Sequence, residues 1–458
     1  PQNNVGVGMS GYLHSPWPAE DGGPMRLQAL PPQCRLALDE DIEPRCTARK
    51  TSMTTMTVLG APREVYLLTH SAIRSRFGLP TAARVERIDP ETLKPLARSP
   101  KLPGGPMWPG GMAIHANGDI IVVYGRWIHR LDRECRIKAA RQLPEPLAYN
   151  SFVLLDNGLI VTKQISDRVP ARLSVLDPVS LRPVTEAVQC PEPSIARLSA
   201  VGGTVYVVGT ASIMRFHWDG KTLVRDADWR HAYLSDSTNS YGWDAVIDGE
   251  NAWFMDNGRH RYAINMIGRG VNPGANRLIR VSLANSADAE AHEICGRPGG
   301  SITNPPLVDP SRKIVIGYDS ANRHMTAWRY GEGGMEMLWQ RTPIGCASHM
   351  LLDTDRGLIV TNDYDRRSEA VIILDIETGD MRARAVVGGI TQGVVFPSPG
   401  WNNDIYWCSM GRVARIYWPQ ANRPHASRAP ITSGTSRGSR CQTKAVSRTS
   451  APHAPQAV

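Results

Sequence analysis

The sequence predicts an all-β chain built from one repeated unit, and three observations carry that reading. Gly (41) and Pro (35) make up about a sixth of the 458 residues, too much punctuation for long helices and too little for a low-complexity chain. Eight stretches repeat one pattern: an apolar run, a tight-turn cluster, then a run of β-branched or aromatic residues. A second, Asp-centred turn follows most of them after a polar gap. Four strands in a unit of about 40–60 residues are the signature of a β-propeller blade.

Taken in order, residues 1–50 read as an irregular, Pro-rich leader, within which Met25–Leu38 is expected to supply an outer strand that closes the ring. The hairpins are Val58–Leu68, Met112–Tyr124, Phe152–Thr162, Leu198–Val208, Ala245–Met255, Pro306–Tyr318, Met350–Thr361 and Val394–Cys408. Their turns, such as Asn117-Gly118, Gly202-Gly203 and Asp248-Gly249, predict type I′ geometry with positive φ. The second turn recurs as Ile88-Asp89-Pro90-Glu91-Thr92, Leu176-Asp177-Pro178-Val179-Ser180 and Leu374-Asp375-Ile376-Glu377-Thr378, where Asp accepts hydrogen bonds from the turn backbone. Looser copies sit at Asp132, Asp219 and Ser282. The expected fold is therefore a single propeller over residues 51–418 with four-stranded antiparallel blades, eight in number, with seven as the alternative because the last unit ends at Trp418 without a fourth strand. Trp218, Trp253, Trp328 and Trp407 are expected to pack between blades.

These repeats resemble β-propellers of the quinoprotein-dehydrogenase-like, WD40/YVTN-like and lactonase-like kinds, over roughly residues 50–418. The lactonase-like resemblance implies a calcium ion held by Asn150, Asp244 and Asn304, and hydrolysis of an ester or lactone with His349 and Asp244 as catalytic groups. That family has six blades and supplies a glutamate from its first blade, where this chain has Thr54, Thr55 and Thr57. The quinoprotein resemblance implies an oxidoreductase and fits the blade count better, but the sequence carries neither an adjacent cysteine pair nor an evident Trp-docking repeat.

The net charge is +9, and six of those nine charges lie in residues 419–458, which hold no acid. That Ser-, Pro- and Arg-rich stretch is expected to be a disordered tail whose deletion leaves the melting temperature unchanged. The nearly neutral body argues against nucleic acid as a partner, which leaves a small-molecule ligand or a protein. No apolar run reaches the roughly 20 residues of a membrane span, so the expectation is a soluble protein, cytoplasmic or secreted after processing. The eight cysteines include no C-x-x-C pair, and Cys34 with Cys46 is the one plausible disulfide.

Two motif matches fail on context. Gly6-Val7-Gly8-Met9-Ser10-Gly11 follows no strand and opens no helix, and Gly434-Thr435-Ser436-Arg437-Gly438 lies in the tail. Architecture is the better guide, because residues near the start of each innermost strand converge on the axis. They include Asn150, Ser194, Arg197, Trp243, Asp244, Asn304, Ser348, His349 and Gln392. The predicted ligand ring is Asn150, Trp243, Asn304, Ser348 and Gln392, together with Asp244 and His349. Its amide and carboxylate oxygens are the hard ligands that suit calcium. Ser348 and His349, adjacent on a strand, point to opposite faces and so are not a nucleophile and its base. A long insertion between Asp256 and Asn276 is a further candidate for function.

Overall fold

A computed structural model describes residues 10–39, 41–105, 110–235, 237–261, 269–391 and 393–419. Eight antiparallel blades follow one another around an axis, seven of them four-stranded and the first carrying a short extra strand, Leu102–Pro103, beside its four, so the count is eight and the alternative of seven falls. Their innermost strands are Met53–Leu59, Gly111–Ile114, Tyr149–Leu154, Ser199–Val201, Val246–Ile247, Leu307–Asp309, Leu351–Asp353 and Ser398–Pro399, which number blades 1 to 8. Each hairpin expected from the sequence joins the first two strands of its blade. Inner strands all begin on one face of the disc, here the upper, and end on the lower face.

Blade 8 is built from both ends of the described chain. Arg45–Lys50 pairs antiparallel with Arg412–Tyr417, from Arg45 opposite Tyr417 to Lys50 opposite Arg412. Such closure removes the open sheet edge a linear array would present. The closing strand therefore does come from the N-terminal segment, but from Arg45–Lys50 and not from Met25–Leu38.

Turn chemistry explains the repeat. In the second turn Asp89, Asp177, Asp219 and Asp375 each accept the backbone N–H groups two and three residues on, at 2.7–3.1 Å. Type I′ geometry is not what the Asn-Gly hairpins adopt. Gly118 takes φ of 84° while Asn117 keeps negative φ, and Gly118 N–H donates to His115 O at 2.8 Å. This is a type I turn followed by a left-handed glycine, the geometry of the longer hairpin loops, and it needs positive φ at one residue only.

Apolar side chains fill the wedges between neighbouring blades. One cluster runs through blades 5 to 7 around Trp253, Trp328 and Trp339, and another through blades 7, 8 and 1 around Trp407. Two outer-strand tryptophans missed in the sequence dock blade to blade. Trp339 of blade 6 lies over Gly379 of blade 7 and donates its indole N–H to Ile376 O at 2.9 Å, and Trp229 of blade 4 donates to Ser282 O of blade 5 at 3.0 Å.

Residues 10–38 are the main departure from expectation. Innermost strands leave one row of backbone groups facing the axis, and this segment pairs with them. Leu13 N–H donates to Ile114 O, Ile114 N–H to Pro18 O, Leu59 N–H to Trp17 O, Ala200 N–H to Pro24 O and Ile247 N–H to Met25 O, all at 2.8–2.9 Å. Leu30 and Leu352 of blade 7 follow, and Ala37 N–H reaches Asn403 O of blade 8. Side chains complete the circuit: Tyr12 Oη accepts from Leu154 N–H of blade 3, and Gln28 donates to Pro306 O of blade 6. Trp17, Leu30, Leu36 and Leu38 are buried in the wedge cluster of blades 7, 8 and 1, each worth about 1.5–3 kcal/mol of apolar burial. The segment thus lines the lower part of the channel and touches every blade. Cys34 and Cys46 are free thiols.

Candidate ligand site on the propeller axis

Residues near the start of the inner strands meet on the axis, as contacts between opposite blades demonstrate. The Arg197 guanidinium of blade 4 lies 4.6 Å from the ring centroid of Phe396 in blade 8, and His349 of blade 7 stacks on the same ring at 3.9 Å. Thr55 of blade 1 and Ser151 of blade 3 sit where the strand register breaks, between Thr54 and Met56 and between Tyr149 and Phe152. Bulges of this kind re-aim a side chain out of strict alternation.

Five of these blades carry a buried polar atom without a hydrogen-bond partner among the described residues: Thr55 Oγ1, Ser151 Oγ, Asp244 Oδ2, Asn304 Oδ1 and His349 Nε2. All five residues are at most 2% exposed. An unsatisfied buried polar group costs about 1–3 kcal/mol, so a cluster of them marks a place where polar matter belongs.

Beneath the ring lies a network of buried charge supplied largely by residues 20–26. Arg26 bonds Glu20 Oε1 at 2.5 Å and Asp21 Oδ2 at 2.7 Å, and its Nε and Nη2 donate to Leu198 O. Glu20 takes Arg197 Nη1 at 2.7 Å, and Asp21 Oδ1 lies 2.7 Å from His349 Nδ1. Burial pushes the Asp21 carboxyl up, but His349 and Arg26 outweigh it and hold the group below its usual range. Asp244 Oδ1 accepts Arg197 N–H at 2.7 Å, and its Oδ2 is 4.0 Å from Arg197 Nε. Lys163 reaches in from the second strand of blade 3. Its Nζ donates to Ser194 O at 3.3 Å, and burial lowers its pKa to about 8. A cavity of about 10 Å³ between residues 12–26 and blades 2 and 3 has room for a single water.

Of the residues expected from the sequence, Asp244 and His349 are linked to each other through Arg197 and Phe396, whereas Asn304 donates its amide to Thr303 Oγ1 at 2.9 Å. The Trp243 indole donates to Gly258 O at 3.2 Å and pins the root of the insertion. Ser348 turns into blade 7, where its hydroxyl is 3.3 Å from Thr361 Oγ1. Asn150 lies in the strand Tyr149–Leu154, its side chain outside what is described, and Gln392 lies outside the described residues altogether. The insertion forms a short hairpin of His260–Arg261 with Arg269–Gly270. Sequence reasoning missed Thr55, Ser151, Lys163 and the whole contribution of Glu20, Asp21 and Arg26. The four charged residues within residues 10–38, Glu20, Asp21, Arg26 and Arg35, in a largely apolar and Pro-rich stretch, were the available signal.

No family model and no curated protein matches the chain on sequence. Solved structures match its fold. A quinohemoprotein alcohol dehydrogenase from Comamonas testosteroni aligns with a TM-score of 0.63 at 10% identity, over 92% of this chain and 82% of that one. A europium-containing methanol dehydrogenase aligns with a TM-score of 0.58 at 10% identity, over 88% and 98%. The Dos1 propeller aligns at 0.54 and 9% identity, over 82% and 95%. The chain thus has the propeller fold that quinoprotein alcohol dehydrogenases also use. At such identities the likeness concerns fold alone.

Proposed function

We propose that this propeller binds a small anionic or polar ligand at the axial ring, reached from the upper face. The observation that carries the reading is the set of five unpartnered buried polar atoms contributed by five blades. Donor chemistry supports an anion over calcium. Lys163 offers N–H groups beyond the one given to Ser194, Thr55 and Ser151 offer hydroxyls, and the ring's one carboxylate, Asp244, already accepts from Arg197. Among the described residues no three His, Cys, Asp or Glu side chains are grouped to hold a metal.

Melting curves in inorganic phosphate, succinate, calcium chloride and chelator test this reading. Selective binding to the folded state at 100 times Kd stabilises by about 2.7 kcal/mol. The expected result is a rise in Tm with one of the anions, lost in Lys163→Met and Thr55→Val. A rise with calcium, reversed by chelator, would replace the anion by a metal, and no rise with any of them would end the ligand reading.

A second reading is favoured by one contact. His349 Nδ1 lies 2.7 Å from the Asp21 carboxylate and its Nε2 has no partner among the described residues, an arrangement that suits a general base. His349 would take a proton from water attacking an ester or lactone, with Asp21 orienting the imidazole. Turnover of a lactone and ester panel, abolished in His349→Asn, is the expected sign of that activity, and no turnover by the intact protein would leave the binding role alone.

A further inference from the structure

The two faces of the disc differ in chemistry. Lower-face turns present exposed acids such as Glu91, Asp156, Asp219, Glu250, Asp355 and Glu377, interspersed with exposed bases such as Arg63, Arg133, Lys221 and Lys313. Upper-face loops of blades 1, 3, 5 and 7 present Arg74, Arg76, Arg168, Arg259, Arg366 and Arg367, also exposed. Among the described residues of those four loops, Asp167 and Asp365 are the only carboxylates that are not buried. The same face carries exposed apolar side chains. The short helical loop Ala72–Phe77 of blade 1 and the residues just after it show Ile73 at 43%, Phe77 at 73% and Leu79 at 47% exposure. Val169 in blade 3, Val271 in blade 5 and Ile390 between blades 7 and 8 are each exposed by 41–47%.

We propose that the upper face docks on an anionic lipid bilayer, with the Ile73–Leu79 loop entering the interface and the surrounding arginines meeting lipid headgroups. Two observations favour a bilayer over a protein partner. The apolar side chains are spread over several loops of one face, three on the Ile73–Leu79 segment of blade 1 and one each at Val169, Val271 and Ile390, which suits a fluid planar medium better than a shaped surface. Arginines flank Ile73, Phe77, Leu79, Val169 and Val271 on the same loops, the composition of interfacial segments, in which apolar burial and attraction to anionic lipid act together. Turns on the opposite face mix exposed bases such as Arg63, Arg133, Lys221 and Lys313 with a larger number of acids, so the field of the whole disc orients the arginine-bearing face toward a negative surface. The inference is independent of what the axial ring binds.

Co-sedimentation of the full chain with vesicles tests it. The protein should pellet with vesicles of phosphatidylcholine containing phosphatidylserine and not with phosphatidylcholine alone, and partition should fall with added salt. Phe77→Ser with Ile73→Ser, and separately Arg74→Glu with Arg76→Glu, should each weaken binding by about tenfold or more with the melting temperature unchanged. Failure to pellet overturns the proposal. So does binding that both loop variants retain in full, which would assign it to the basic residues of 419–458, and binding that only the arginine variant loses, which would point to an acidic macromolecule.

Discussion

Arg26 joins the N-terminal segment to the ring. Its guanidinium is 1% exposed, satisfies Glu20 and Asp21 together, and holds Leu198 O of blade 4. Removing one partner of a buried ion network leaves uncompensated charge, at about 3–5 kcal/mol. Arg26→Met should therefore lower the unfolding free energy by that order in a urea titration, whereas Arg74→Ala on the surface should move it by less than about 0.5 kcal/mol. Two histidines away from the axis set the acid limit. Burial lowers His70 and His129 from 6.5 to about 4. The unfolded chain then binds more protons than the folded one between those values, so stability is complete above about pH 6.5 and falls as the pH drops toward 4, by about 2–3 kcal/mol for each histidine. Urea midpoints at pH 7.5 and pH 4.5 should show the loss, and His129→Phe should reduce it.

Between elements, the docking of Trp339 on the next blade is the contact most open to test. Gly379 has φ of 71°, and a Cβ there would lie 2.7 Å from the indole. Gly379→Ala combines backbone strain with overpacking and should cost roughly 2 kcal/mol. Trp339→Phe keeps most of the packing and loses the bond to Ile376 O, at about 1 kcal/mol. Thermal melts of the two single variants and the double variant should show non-additive losses, since both disturb one contact. The same contact explains a gap in the sequence reading: Trp339 and Gly379 are 40 residues apart and belong to different copies of the repeat, so the pattern within either copy does not reveal them.

For the whole molecule, the two ends of the chain are expected to matter unequally. Residues 10–50 pair with the inner strands of most blades and close blade 8. A chain beginning at Thr51 would lose the closing strand, the axial charges and several buried apolar side chains, so loss of a cooperative melt is the expected outcome. A chain ending at Pro419 gives up a segment whose composition buries little, and its Tm should stay within a degree or two of the intact protein. A helical far-UV spectrum of either would contradict the fold itself.

What the sequence determined alone was the repeat: hairpin turns, Asp-centred turns and alternating apolar runs are local, and local chemistry was enough to place the first two strands of all eight blades. The same logic singled out Asp244 and His349, which the structure links through Arg197 and Phe396, because equivalent places in a repeat occupy equivalent places in a ring. Only the tertiary structure decided which way neighbouring side chains turn, bonding Trp243 to Gly258 O and Ser348 to Thr361 and breaking the strand register at Thr55 and Ser151. The path of residues 10–38 was likewise beyond reach of pattern. That segment has no periodicity of its own, and its conformation follows from the unpaired inner-strand edges and buried charges it meets, which exist only once the ring has formed.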